Sequence, residues 1–71
     1  MEVRVGQLWH HELGCLVMVL DQAYDDAIES VAWHTHDCFS DGAVRSGVFT
    51  AQSWFDDEIG AGRLMLLSDC A

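Results

Sequence analysis

The stretch Ile28-Glu29-Ser30-Val31-Ala32-Trp33-His34-Thr35-His36-Asp37-Cys38 has the clearest two-residue alternation in the chain. Successive side chains of an extended strand point to opposite faces of the sheet. One face would therefore carry Val31, Trp33 and Thr35. The other would carry Ala32, His34, His36 and Cys38. The alternation predicts a β-strand over Ile28–Cys38, and it sets the fold class that the flanking segments have to fit.

Four more apolar segments predict strands on either side of this one: Val3–His11, Cys15–Asp21, Ala43–Phe49 and Arg63–Leu67. Cys15–Asp21 is almost continuously hydrophobic, which is typical of a strand buried on both faces or curled into a small barrel. Within the first segment, Gly6 predicts a bulge or turn. The segments are separated by predicted turns at 12–14 and 40–42 and by a polar connection over 22–27.

Thr50–Ile59 is the one segment with a helical pattern. Ser53 and Asp56 have the spacing of a capping box. Asp57 and Glu58 would lie toward the carboxyl end, where the helix dipole disfavours carboxylates. Because residues 60–62 read Gly-Ala-Gly and end the pattern, we expect a single helical turn rather than a stable helix.

Four antiparallel strands, a helical turn and a fifth strand describe an all-β fold, a small SH3-like five-stranded antiparallel barrel. The 71 residues form a single domain over 1–71, which by surface scaling exposes roughly 4,400 Å². Closing the sheet suits so short a chain because closure removes the unpaired edges. The predicted core consists of Val5, Leu8, Trp9, Leu16, Val17, Val19, Val31, Trp33, Val48, Phe55, Leu64 and Leu66.

The opening Val5-Gly6-Gln7-Leu8-Trp9 resembles the V-G-Q-x-W start of small SH3-like proteins that are common in phage and bacterial genomes. The order of segments that follows is also similar to theirs, down to Trp54-Phe55 and a closing R-L-x-L strand at 63–66. The resemblance implies the barrel fold and a phage or mobile-element origin. It implies no catalytic residues.

The chain carries 12 carboxylates against three arginines and no lysine, a net charge of -9. Since 51% of its residues are hydrophobic, it is not a disordered acidic tail. Direct nucleic-acid binding is disfavoured because phosphate neutralisation needs Lys and Arg. Spread evenly, the carboxylates give about one charge per 370 Å². B-DNA presents on the order of one per 110 Å², so mimicry of DNA requires that the carboxylates gather on one face or are pooled by dimerisation.

The carboxylates cluster near the predicted turns, where they would attract a basic surface. Trp54 beside the run 56–58 is a candidate for an exposed anchor, since Trp is enriched at binding hot spots. The predicted partner-binding residues are Asp25, Asp26, Glu29, Trp54, Asp56, Asp57 and Glu58. A solubilising acidic surface without a dedicated partner, and a core position for Trp54, are the alternatives.

His34, His36 and Cys38 share one predicted face and have the side-chain chemistry of zinc ligands, to which His10 and His11 would add a further ligand. Alternatively the strand turns them toward solvent. The three cysteines, an odd number without a signal peptide, favour a reducing, cytoplasmic setting with buried, inert thiols. A single pair, or a bridge between two chains through Cys70, is the alternative.

No nucleophile elbow, phosphate loop or HExxH motif is present, so we expect no enzyme and no cofactor. The leading hypothesis is a phage-encoded inhibitor of the anti-CRISPR or anti-restriction type. It would act in the bacterial cytoplasm, away from membranes, by covering a basic nucleic-acid-binding surface of a larger bacterial protein. The alternatives are an assembly module that forms homo-oligomers, including homodimers, and a small zinc-binding domain.

Overall fold

The computed structural model describes residues 2–69, which form five strands and one helix. In chain order they are β1 (Leu8–His11), β2 (Leu16–Asp25), β3 (Ser30–Cys38), β4 (Val44–Ala51), α1 (Gln52–Gly60) and β5 (Leu64–Ser68). The predicted all-β class, with five antiparallel strands and a short helical segment, is confirmed. The exposed surface of 4424 Å² agrees with the scaling estimate, so the chain is as compact as is typical of a folded monomer of its mass.

All five strands belong to one antiparallel sheet in the order β4-β3-β2-β1-β5. Within the described residues β4 and β5 do not pair, so the sheet is not closed and the predicted barrel is not confirmed. The connection from β4 to β5 is α1, which packs against β3, β4 and β5. The helix therefore lies over one face of the sheet and connects its two edge strands, β4 and β5. In a closed barrel these two strands would pair directly with each other.

β1 and β2 differ most in length from their predictions. β1 begins only at Leu8, because Gly6 adopts a φ of 93° in a turn and donates its N–H to the Val19 carbonyl oxygen at 2.9 Å. The predicted turn at Gly6 is thus confirmed. β2 runs on to Asp25 through a register shift between Val19 and Asp21, so most of the predicted polar connection over 22–27 is strand.

The core lies between the helix and the sheet face that it covers. Its buried hydrophobic residues are Val3, Trp9, Val17, Val19, Trp33, Phe55 and Leu64, of which only Val3 was not predicted. Val31 and Leu66 are partly buried and pack against this core. Val48 in β4 is also partly buried but is not among the residues that pack against it. The core predictions for Val5, Leu8 and Leu16 are wrong. Val5 and Leu16 are exposed, and Leu8 is half-buried but does not belong to the core.

Of the two alternatives predicted for β2, burial on both faces is wrong as well. Val17 and Val19 are buried, whereas Leu16, Met18 and Leu20 between and beside them are exposed. They point to the face of the sheet opposite α1, where their side chains stay partly open to solvent. Hydrophobic sequence alone does not distinguish a strand covered on two sides from one whose second apolar side is left open.

The helix is longer than the single turn that was expected, with nine residues from Gln52 to Gly60. The capping-box prediction is wrong, because the helix begins after Ala51 with no side-chain hydrogen bond at its N-cap. Tertiary packing stabilises it instead: Phe55 is fully buried, and Trp54 and Ile59 pack against the core. At its end the Arg63 N–H donates to the Glu58 carbonyl oxygen at 3.0 Å.

A buried side-chain amide joins the two ends of the described chain. Gln7 is 1% exposed, and its Oε1 accepts hydrogen bonds from the Arg4 N–H at 2.7 Å and from the Trp9 indole Nε1–H at 3.1 Å. Its Nε2 donates to the Glu2 carbonyl oxygen and to Asp69 Oδ1, each at 3.0 Å. All four hydrogen-bonding positions of the amide are therefore filled.

Replacing Gln7 with glutamate tests this arrangement at nearly constant volume. In Gln7→Glu a carboxylate oxygen faces two acceptors, so we expect a loss of about 2 kcal/mol or more in the free energy of unfolding, measured by urea denaturation. Adding Asp69→Asn restores a donor and should recover part of the loss. If Gln7→Glu is as stable as the wild type, the amide is not what holds the two chain ends.

Candidate functional site

The first group of predicted partner-binding residues lies at the tip of the β2–β3 hairpin. Asp25 ends β2, and its Oδ1 accepts a hydrogen bond from the Ala27 N–H at 2.9 Å, which shapes the turn over 26–29. Asp26 and Glu29 are exposed, and Glu29 has a positive φ of 49°. Asp25 is thus partly engaged within the turn, while Asp26 and Glu29 face solvent.

The second group, Asp56, Asp57 and Glu58, is divided by the helix. Because a helix turns about 100° per residue, the side chains of Asp56 and Glu58 project about 200° apart. Asp56 and Asp57 are exposed, and Asp56 Oδ1 accepts a hydrogen bond from Gln52 Nε2 at 2.9 Å. The three consecutive carboxylates therefore do not form one patch.

A cleft of about 550 Å³ lies between α1, which contributes Asp56, and the strands of the β2–β3 hairpin. Its lining residues are Glu2, Val3, Gln22, Val31, Trp33, Gln52 and Asp56. The Trp33 indole N–H donates to Gln52 Oε1 at 2.6 Å and so fixes the start of the helix against β3. Val31 and Gln22 belong to the two strands that lead to the hairpin tip, whereas Ser30 and its register partner Asp25 lie on the opposite face of the sheet from Val31. We call Glu2, Asp25, Asp26, Glu29 and Asp56 the acidic end.

Glu58 does not belong to the acidic end, because two side chains of the protein itself bind it. Its Oε1 lies 2.8 Å from His11 Nε2, and its Oε2 pairs with Arg63. The Glu58 side chain is only 13% exposed. Hydrogen bonding from Arg63, then from His11, holds the pKa of Glu58 below its usual value. The same contact with Glu58 raises the pKa of Arg63.

The tautomer of His11 follows from its backbone contact. The Leu13 N–H donates to His11 Nδ1 at 3.2 Å, so Nδ1 carries no proton and Nε2 donates its proton to Glu58. His11 is buried on the helix side of the sheet. It therefore joins the β1–β2 turn to α1, a structural role that sequence reasoning missed when it grouped His11 with metal-ligand candidates.

Trp54 is half-buried and is not an exposed anchor. Its ring stacks on the His11 ring with centroids 5.9 Å apart and 23° between planes, and it meets Phe55 edge-on at 5.1 Å. These contacts agree with the alternative core interpretation of Trp54 more than with a binding anchor. Trp54, a predicted partner-binding residue, thus helps to hold α1 against the sheet through its contacts with His11 and Phe55.

Trp54 also forms one wall of a groove of about 400 Å³ between the β1–β2 hairpin, the β3–β4 hairpin and α1. Arg45 borders this groove and lies over the Phe39 ring, 5.0 Å from its centroid. Cys15 also lines the groove. The pKa of its thiol is raised, mainly by burial and next by the nearby charge of Asp37, so this thiol is less acidic than an ordinary cysteine.

His34, His36 and Cys38 do share a face, as predicted, on the side of the sheet opposite α1 and His11. The His34 ring packs against the Phe49 ring at 5.3 Å. Among residues 2–69 no three His, Cys, Asp or Glu side chains are grouped to hold a metal ion. Cys15 and Cys38 are free thiols, whereas Cys70, the predicted site of a bridge between chains, lies outside the described residues.

Comparison of the chain with models of protein families, with curated proteins and with solved structures finds no match. The resemblance of the opening pentapeptide to small SH3-like phage and bacterial proteins therefore stays a prediction. Over residues 2–69 no helix has the length and hydrophobicity needed to cross a membrane.

Replacing Glu58 tests its structural role through pH. A carboxyl whose pKa is lowered on folding stabilises the fold above its unfolded pKa, near 4.5 for glutamate, and loses that contribution as the pH falls through the folded value. We expect Glu58→Gln to lower the melting temperature by a few degrees at pH 7, and the difference from wild type to shrink steadily below pH 4.5. Calorimetry across this range measures both.

The control variant is Asp57→Asn, which removes the neighbouring exposed carboxylate of the same helix. It should leave the melting temperature nearly unchanged at pH 7. Equal effects of the two substitutions would mean that general acidity of the helix, and not the contact with His11 and Arg63, stabilises this region.

Proposed function

We propose that the chain is a non-enzymatic binding module whose acidic end docks against a basic surface of a larger bacterial protein in the cytoplasm. The observation that carries the proposal is the cleft, which brings Glu2 and Asp56 together although they are distant in sequence. The cleft lies beside the strands of the β2–β3 hairpin, whose tip carries Asp25, Asp26 and Glu29.

The acidic end is not neutralised by the protein's own cations. Arg4 pairs with Asp69, Arg63 pairs with Glu58, and Arg45 lies over Phe39. Within residues 2–69 no arginine pairs with a carboxylate of the acidic end. Such an uncompensated cluster speeds encounter with a cationic surface and sets the sign of the partner, with a strong dependence on ionic strength.

The narrower form of the proposal is a phage-encoded inhibitor of the anti-CRISPR or anti-restriction type. It is supported by the resemblance of the opening pentapeptide and by the sign of the charge. In this form the acidic end occupies a basic groove that otherwise binds nucleic-acid phosphates, so inhibition is steric and electrostatic competition.

A matched pair of double variants tests the acidic end. Asp26→Asn with Asp56→Asn removes two charges from it. Glu12→Gln with Asp41→Asn removes two from the β1–β2 and β3–β4 turns, which adjoin through Gly14 and Ser40. Asp41 uses Oδ1 to accept the Ala43 N–H at 2.9 Å, and asparagine keeps that acceptor. Both variants therefore have the same net charge and intact turns.

The probe is a fluorescein-labelled peptide of nine arginines, followed by anisotropy at 50 and 200 mM salt. We expect the wild type to bind more weakly at the higher salt. At 50 mM salt, the acidic-end variant should lose five- to tenfold in affinity and the control variant less than twofold. Equal losses would show that charge acts diffusely and would contradict a site at the acidic end.

Affinity capture from a bacterial lysate then identifies the partner. A protein retained by the wild type and by the Glu12, Asp41 variant, but not by the Asp26, Asp56 variant, is a specific candidate. For the inhibitor form it should be a nucleic-acid-binding protein that DNA or RNA displaces from the immobilised chain. A retained protein that nucleic acid does not displace contradicts the inhibitor form alone.

A further inference from the structure

The face of the sheet opposite α1 is apolar across its whole width. The register places Met65, His10, Leu16, Cys38 and Val44 in one row that crosses all five strands in the order β5, β1, β2, β3, β4. Side chains of directly paired residues lie on the same face of an antiparallel sheet. This row therefore forms a continuous band that is perpendicular to the strands.

Two further rows extend the band. Leu8, Met18 and His36 form the second, and His34 with Phe49 forms part of the third. Leu20 and Leu67 fall on the same side by alternation along β2 and β5. We call this set the outer face: Leu8, His10, Leu16, Met18, Leu20, His34, His36, Cys38, Val44, Phe49, Met65 and Leu67.

The outer face is exposed and almost free of charge. Met65 is 62% exposed and Met18 43%, and Leu16, Leu20, Val44, Phe49 and Leu67 are exposed as well. Three of its members are histidines, and Asp21, the exposed register partner of His34, lies on the same side of the sheet. In a chain of net charge -9, this surface is one that a second copy can approach against few carboxylates.

The size of the outer face fits a weak dimer. With strands about 4.8 Å apart and same-face residues about 6.8 Å apart, its twelve residues cover roughly 400 Å². This lies within the range for the largest apolar patch of a monomer, about 300–600 Å². Two such faces bury about 800 Å², which is in the range below roughly 1,200 Å² that is typical of weak, transient interfaces.

We infer that the outer face is a homodimer interface, in which two copies pack their sheets face to face around a two-fold axis. A two-fold axis brings the same patch of each copy together, and a mainly apolar patch is complementary to itself without matched charges. The hairpin tip and the exposed side of α1 stay outside the contact. Dimerisation therefore leaves both acidic ends available, and it does not depend on the function proposed above.

Salt separates this contact from the acidic one. The dimer brings two copies of charge -9 together, so screening of their repulsion should strengthen it as ionic strength rises. Binding of a basic partner should weaken over the same range. Opposite responses to salt identify two different surfaces on one chain, and either result can fail without the other.

Analytical ultracentrifugation of the full chain tests the interface, with EDTA to remove metal and a reductant to keep the thiols free. At 100 μM protein and 0.5 M salt we expect a mass approaching twice 7.9 kDa, and a dissociation constant at least threefold larger at 50 mM salt. Met18→Lys and Met65→Lys should each weaken dimerisation at least tenfold, although lysine lowers the repulsion between copies.

The control is Leu13→Lys, the same kind of substitution at a residue that is 81% exposed in the β1–β2 turn, off the outer face. It should dimerise as the wild type does. A chain that stays monomeric up to 1 mM at 0.5 M salt overturns the inference and leaves the face to a different protein. A dimer that both methionine variants retain overturns it too, because pairing would then use the strand edges.

Discussion

The hydrogen bonding of the Gln7 amide is the constraint on which the rest of the structure depends. A chain of 71 residues has a small core, so its ends must be held by directional contacts as well as by buried area. Gln7 binds the backbone before β1, the indole of Trp9 at the centre of the core, and Asp69 after β5. The turn at Gly6 directs the Gln7 side chain into the protein. The opening pentapeptide therefore has a structural role in this chain, independent of its resemblance to other proteins.

How far the sequence predicts this fold depends on whether its signals are local. The alternation in β3 and the turn at Gly6 are local, and both were predicted correctly. The length of α1 was not, because Phe55 and Trp54 stabilise the helix through distant contacts that outweigh its weak cap. Closure of the sheet also depends on contacts between residues that are distant in sequence, because it requires β4 and β5 to pair directly. In this structure they are the two edge strands of the sheet, and α1 connects them.

The candidate site shows the same division more sharply. Asp26, Glu29 and Asp56 were predicted as exposed carboxylates and are exposed. Glu58 differs because His11, 47 residues earlier in the chain, lies beside it in the fold. The spacing of five between Glu58 and Arg63 is a weak hint of an ion pair across the helix end. No sequence pattern predicts this contact of His11 with Glu58. The His11 ring accepts a hydrogen bond from the Leu13 backbone N–H, and this makes it part of the β1–β2 turn.

The net charge and the outer face are two parts of one physical problem. An uncovered apolar sheet face promotes association, and unpaired edges at β4 and β5 promote open-ended assembly. In the proposed dimer, carboxylates on the hairpin tip and the helix would repel additional copies. In the proposed complex, the same net charge of -9 would select a cationic partner at the acidic end. Both proposals therefore depend on the segregation of charge from apolar surface more than on the amount of either.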